Sequence, residues 1–155
     1  MRKSWHRYFF DLAKSAAEMA TCDRLHAGTV LVKNKRIVAM GFNGSLPGAL
    51  HCDDVGHLLV EGHCVRTVHS EINAICNAAR MGVSTEGSEA YITASPCWNC
   101  IKALRNAGVA AIYFDERYKN AESTWPNFVA ASERKDESGS MFYQVLISEE
   151  KCAER

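Results

Sequence analysis

The chain has 155 residues, of which 47% are hydrophobic and 23% charged, a composition that excludes a disordered, collagenous or coiled-coil protein. At this length one core buries about 70% of the extended-chain surface, so a single domain over residues 1–155 is expected and no disulfide framework is required. Lys+Arg and Asp+Glu both number 18, which leaves no overall basic field for long nucleic acid but is compatible with a small charged ligand in a local pocket.

In chain order, the N-terminal stretch carries no signal-peptide pattern, because His6, Arg7, Asp11 and Lys14 interrupt its apolar residues. No run of 18 apolar residues occurs anywhere, so the expected compartment is the cytoplasm. Ser4 is positioned to cap a helix whose apolar face includes Trp5, Tyr8, Phe9, Leu12, Ala16 and Met19. Strands are predicted at Thr29–Lys33 and Arg36–Phe42, joined by an Asn34-Lys35 turn. Residues 43–66 have no clean period yet carry His51, Cys52, His57, His63 and Cys64, and a loop of that length in a small domain is usually functional.

The period then predicts a helix over His69–Met81 stopped by Gly82, a strand over Ser88–Ala94 and a helix over Cys97–Ala107 ended by Gly108. Further strands are expected at Val109–Phe114 and Met141–Ile147, with a weaker helix at Ser123–Arg134 between them. Alternating strands and helices in the second half imply parallel crossovers. The expected architecture is α/β, a three-layer α/β/α sandwich around a five-stranded mixed sheet, with a frayed tail after Ser148.

Two short motifs carry chemistry: His69-Ser70-Glu71 and Pro96-Cys97-Trp98-Asn99-Cys100. In a reducing compartment, most of the seven cysteines serve as ligands, catalysts or core filler. Cys97 and Cys100 are three apart at a helix opening, so their sulfurs point the same way, and His69 opens another helix. Side by side, those two helix starts would gather one imidazole and two thiolates where partial positive charge helps keep the thiols ionised. Three protein ligands with one open position is the usual pattern of catalytic zinc. Glu71 can then lean over the metal as a proton carrier without joining it. Either motif alone is weak: C-x-x-C also occurs in redox pairs and structural zinc sites. Together and in this order they form the signature of zinc nucleobase deaminases.

On these motifs the chain resembles the deoxycytidylate (dCMP) deaminase branch of the zinc-dependent cytidine deaminase superfamily. The resemblance runs from about Trp5 to Tyr118 and includes Thr21-Cys22-Asp23-Arg24, Gly41-Phe42-Asn43-Gly44 and the Cys- and His-bearing loop from Leu50 to Cys64. It implies that His69, Cys97 and Cys100 hold Zn2+, that Glu71 shuttles protons, and that water replaces the amino group at C4 of dCMP to give dUMP and ammonia. It further implies that Asn43, Gly44 and Ser70 face substrate or effector, and that the protein is a hexamer activated by dCTP and inhibited by dTTP. Ser70 departs from the alanine usual at that position, and Phe42 from the usual tyrosine.

Cys22, Cys52, His57 and Cys64 form a candidate second, structural metal site pinning the long loop; the alternative is a buried thiol with solvated or phosphate-binding histidines. Arg24, and less so Arg66, are candidates for the substrate phosphate. Trp98 either stacks near the base or packs. Competing functions are deamination of another nucleobase, nucleoside or tRNA, and a zinc-binding module without catalysis. Zero net charge opposes a polynucleotide substrate, and Glu71 opposes the inactive module.

Overall fold

The computed structural model describes residues 2–148; the expected frayed tail and Cys152 lie outside the described residues. Helix α1 (Trp5–Ala17) starts where Ser4 Oγ accepts the Arg7 backbone N–H at 3.1 Å. Strands β1 (Gly28–Lys33) and β2 (Arg36–Phe42) form an antiparallel hairpin through Asn34 and Lys35, which adopt φ of 50° and 60°. The long connection after β2 contains the short helix α2 (Cys52–Val55) and a two-stranded ribbon of β3 (Leu59–Val60) and β4 (His63–Cys64). Then follow α3 (Ser70–Met81), β5 (Glu89–Ala94), α4 (Trp98–Asn106), β6 (Ala111–Glu116) and the short α5 (Lys119–Glu122). The described chain ends in a hairpin of β7 (Val129–Lys135) and β8 (Met141–Ile147).

The main sheet has six strands in the order β2-β1-β5-β6-β8-β7. Alternation along β1 divides the core between its two faces. Val30 and Val32 pack with Phe9, Phe10, Ala13 and Tyr91 under α1, whereas Leu31 packs with Ala74, Ile92, Ile101 and Leu104 under α3 and α4. The α/β/α layering therefore matches expectation.

Two expectations are corrected. The sheet has six strands rather than five because residues 129–135 extend β7 instead of continuing a helix from Ser123 to Arg134. The Ala, Glu, Arg and Lys of this segment favour helix locally, but Pro126 interrupts the run and pairing with β8 supplies a complete ladder from Val129 opposite Ile147 to Lys135 opposite Met141. Among the described residues only β5 and β6 pair in parallel, and β6 meets β8 antiparallel.

Two glycines set the helices close to the sheet. A Cβ at Gly28 would lie 1.9 Å from Ala13 O in α1, and one at Gly41 would lie 2.3 Å from Ser70 O in α3. No side chain other than hydrogen fits at either crossing. The second contact presses the first turn of α3, and with it the His69 motif, onto the hairpin.

Candidate metal and active site

His69 is the N-cap residue of α3 and Cys97 that of α4, with Cys100 in the first turn of α4. The two helix starts lie side by side. His69 Nδ1 is 3.6 Å from Cys97 Sγ and 3.4 Å from Cys100 Sγ, and the three donor atoms lie within 4.8 Å of one another. Tetrahedral zinc with Zn–N of about 2.0 Å and Zn–S of about 2.3 Å requires N···S edges of roughly 3.5 Å. The donor set and its spacing therefore fit zinc, with three protein donors and one direction left over.

The electrostatics point the same way. Cys97 is pushed down to about 4, first by the Cys100 hydrogen bond and then, against burial, by the His69 ring. Cys100 is pushed up by sharing that hydrogen bond with Cys97 and by burial. His69 is raised, chiefly by its hydrogen bond to Cys97. These directions favour the thiolate at Cys97 beside the His69 ring, and a dication bound here would favour loss of the Cys100 proton as well.

Glu71, in the first turn of α3, is only 5% exposed, and burial raises its carboxyl above the usual carboxylate range. Its Oε2 accepts the Ser70 hydroxyl at 3.1 Å. Both residues line the same cavity as His69 and Cys97, a space of about 530 Å³ that suits a nucleotide-sized ligand.

The other predicted residues divide. Arg24 lines the cavity and donates from Nη2 to Gly62 O at 2.8 Å. Arg66 instead donates to Gly56 O at 3.0 Å, away from the lining. Asn43 lines the cavity, but its amide clamps the strand entry: Oδ1 accepts from Ala27 N and Nδ2 donates to Leu25 O, each at 2.7 Å. Gly44 is not brought to the lining. Its backbone forms a bridge with Val68, the residue before His69, so it helps to aim the histidine rather than meet a ligand. Trp98 lines the cavity while its ring meets Phe128 edge-on at 5.7 Å.

Sequence reasoning missed the far wall, formed by Tyr118, Asn120, Ala121 and Thr124 around α5. Thr124 Oγ1 accepts the Trp98 N–H at 2.8 Å, so this segment also completes the start of α4. The only local signal is a threonine amid polar residues, which sequence alone cannot assign to a helix 26 positions earlier.

The second candidate cluster is also assembled. Cys22 Sγ lies 3.5 Å from His57 Nδ1, and Cys52 Sγ lies 3.5 Å from Cys64 Sγ; all four donors fall within 4.8 Å of one another. The other ring nitrogen of His57 is 3.0 Å from Asp23 Oδ1, the carboxylate–imidazole pairing that orients zinc-bound histidines. Four soft donors and no open direction fit a closed structural zinc. His51 stays outside, its ring 2.9 Å from Thr21 Oγ1, and His63 lines the active-site cavity.

Comparison with known proteins places this geometry. The family model of the cytidine and deoxycytidylate deaminase zinc-binding region matches residues 3–116. ComE operon protein 2 of Bacillus subtilis is 43% identical over 118 residues, covering 76% of this chain but 62% of its own length, so the chain spans less than two thirds of that relative. Deoxycytidylate deaminase of Mycobacterium phage D29 is 30% identical over 125 residues, covering 73% of this chain and 95% of the phage protein. The dCMP deaminase of cyanophage S-TIM5, solved in complex with dCMP and dUMP, superposes with a TM-score of 0.68 at 29% identity over 80% of this chain and 91% of that one. The family match takes in both the histidine of α3 and the cysteines of α4 that it meets in space, and this chain belongs to the zinc-dependent cytidine and deoxycytidylate deaminase family, whose chemistry is hydrolytic deamination of a cyclic amidine.

Proposed function

We propose that the protein deaminates dCMP to dUMP and ammonia, that His69, Cys97 and Cys100 hold the zinc, and that Glu71 moves the protons. The observation that carries this is the buried Glu71 carboxyl beside three zinc donors in one cavity. Two relatives named or solved as deoxycytidylate deaminases support dCMP among the cyclic amidines. When bound here, zinc would supply the Lewis acidity that lets water act as a nucleophile near neutral pH.

The rest is the work of the chain's own groups. Glu71 takes a proton from the attacking water and delivers it to N3 of cytosine as the C4–O bond forms. The new C4 hydroxyl then gives up its proton, which Glu71 passes to the amino group; the C4–N bond breaks as the C4 carbonyl forms, and ammonia leaves. A carboxyl raised by burial suits this double duty, because it holds a proton readily and still gives it up. Arg24 at the cavity mouth is assigned to the 5′-phosphate. Hexamer formation, activation by dCTP and inhibition by dTTP belong to the same proposal and rest on the family resemblance alone.

Ammonia release from dCMP, deoxycytidine, cytosine, adenosine and guanine, measured side by side, tests the substrate, and dCMP is expected to lead by kcat/KM. Glu71→Gln is expected to lower kcat by about 10²–10⁴-fold, the range for loss of a positioned acid/base, with zinc content unchanged. Full turnover by that variant would sink the mechanism.

A further inference from the structure

We propose that Ser70 is a positioning residue for the proton carrier, and that Thr29 in turn orients Ser70; this rests on the assignment of Glu71 above. Ser70 Oγ lies 3.1 Å from Glu71 Oε2 and 2.8 Å from Thr29 Oγ1. Ser70 and Thr29 are 0% exposed, so neither hydroxyl is open to bulk solvent. The direction of the chain follows from counting hydrogens. Glu71 Oε2 accepts the one hydrogen of Ser70, so the Thr29 hydroxyl must donate to Ser70. The result is a buried relay from β1 through the first turn of α3 to Glu71.

Its geometry is fixed by the backbone. Thr29 stands opposite Gly41 in the hairpin register, and the missing Cβ of Gly41 is what lets Ser70 O approach. Strand and helix are thus locked at the distance the two hydroxyls bridge. Occupying Oε2 stops the carboxyl from rotating and leaves Oε1 as the oxygen that carries the proton to and from substrate. An acid/base must sit within about 2.6–3.2 Å of the atom it serves, and displacement by about 1 Å costs up to 10²-fold. An alanine at position 70 offers no such restraint.

The test compares Ser70→Ala, Thr29→Val and the double variant with wild type. Both replacements suit their elements, alanine in a helix and valine in a strand, and thermal unfolding checks that each folds. Ser70→Ala is expected to lower kcat about tenfold, a modest share of the misplacement penalty, with KM within twofold and zinc content unchanged. Thr29→Val is expected to lower kcat less. The double variant is expected to match Ser70→Ala alone, since Thr29 acts only through Ser70. A readout independent of turnover is the infrared difference between wild-type and Glu71→Gln protein, which isolates the Glu71 carboxyl band; that band is expected to move in the Ser70→Ala background. A wild-type kcat for Ser70→Ala, an unmoved band, or losses that multiply in the double variant would overturn the proposal. Turnover surviving Glu71→Gln would instead strike the assignment of Glu71 itself, so the two failures are distinguishable.

Discussion

Arg24 stands exposed at the mouth of the cavity with one guanidinium nitrogen committed to Gly62 O. That single bond fixes the side chain across the opening while its remaining N–H groups can meet a phosphate. Arg24→Ala is expected to raise KM for dCMP about 10–100-fold, the size of a charge-assisted hydrogen bond, and to leave KM for deoxycytidine, which lacks the phosphate, within twofold. Equal effects on both substrates would remove the assignment. Residue identity carried much of this site because its spacing is local: His69 with Glu71, and Cys97 with Cys100, each sit within one helical turn. Asn43 shows where residue-level reading ends. It reaches the cavity, but the partners of its amide, Leu25 and Ala27, are 18 and 16 positions away and no sequence period marks them.

At the scale of elements, the 43–66 connection was legible as functional from its histidines and cysteines but not as structure. The α2 helix has four residues and the β3–β4 ribbon has two per strand, too short for any hydrophobic period to register. What organises the segment is its donor cluster. Cys52 is pushed up to about 12, mainly by burial and then by Cys64 and Cys22, whereas at Cys64 burial is outweighed by backbone N–H groups of Arg66 and Leu58 together with hydrogen bonds to Cys52 and His57, which draw it down to about 6. Packing thiols this tightly without an ion is costly, and a dication that deprotonates them removes the cost. Purified protein is expected to contain two zinc ions per chain, and Cys52→Ser one, with a melting temperature lower by several degrees. One zinc in the wild type would reject the second site. The misread segment at 129–135 has a different cause: its strand is imposed by β8, so the information lies in residues 141–147 and not in its own propensities.

Across the whole molecule, α1 is tied to a strand and a turn far away in sequence. Arg7 and Lys14 converge on the buried side chain of Asp115 in β6 at 2.9 and 2.6 Å. Ser4, while capping α1, donates its hydroxyl to Asp136 in the turn between β7 and β8. Asp136 also accepts the Ser138 and Ser140 backbone N–H groups at 2.8 and 3.0 Å. Hydrogen bonds from Ser138 and Ser4, in that order, hold its carboxyl at about 2, below the ordinary value of 3.8. A folded-state pKa below the unfolded one means that the group adds stability above about pH 4 and that this contribution is lost as pH falls toward 2. Solvent reaches the turn, so the contribution is about 1 kcal/mol or less. Asp136→Asn is therefore expected to be less stable than wild type in urea unfolding at pH 7 by up to about that amount. The gap should close on acidification through the same window. Two stability profiles that stay parallel from neutral pH to about pH 2 would mean that Asp136 draws nothing from its charge and that neutral hydrogen bonding and packing suffice to hold α1 to the hairpin.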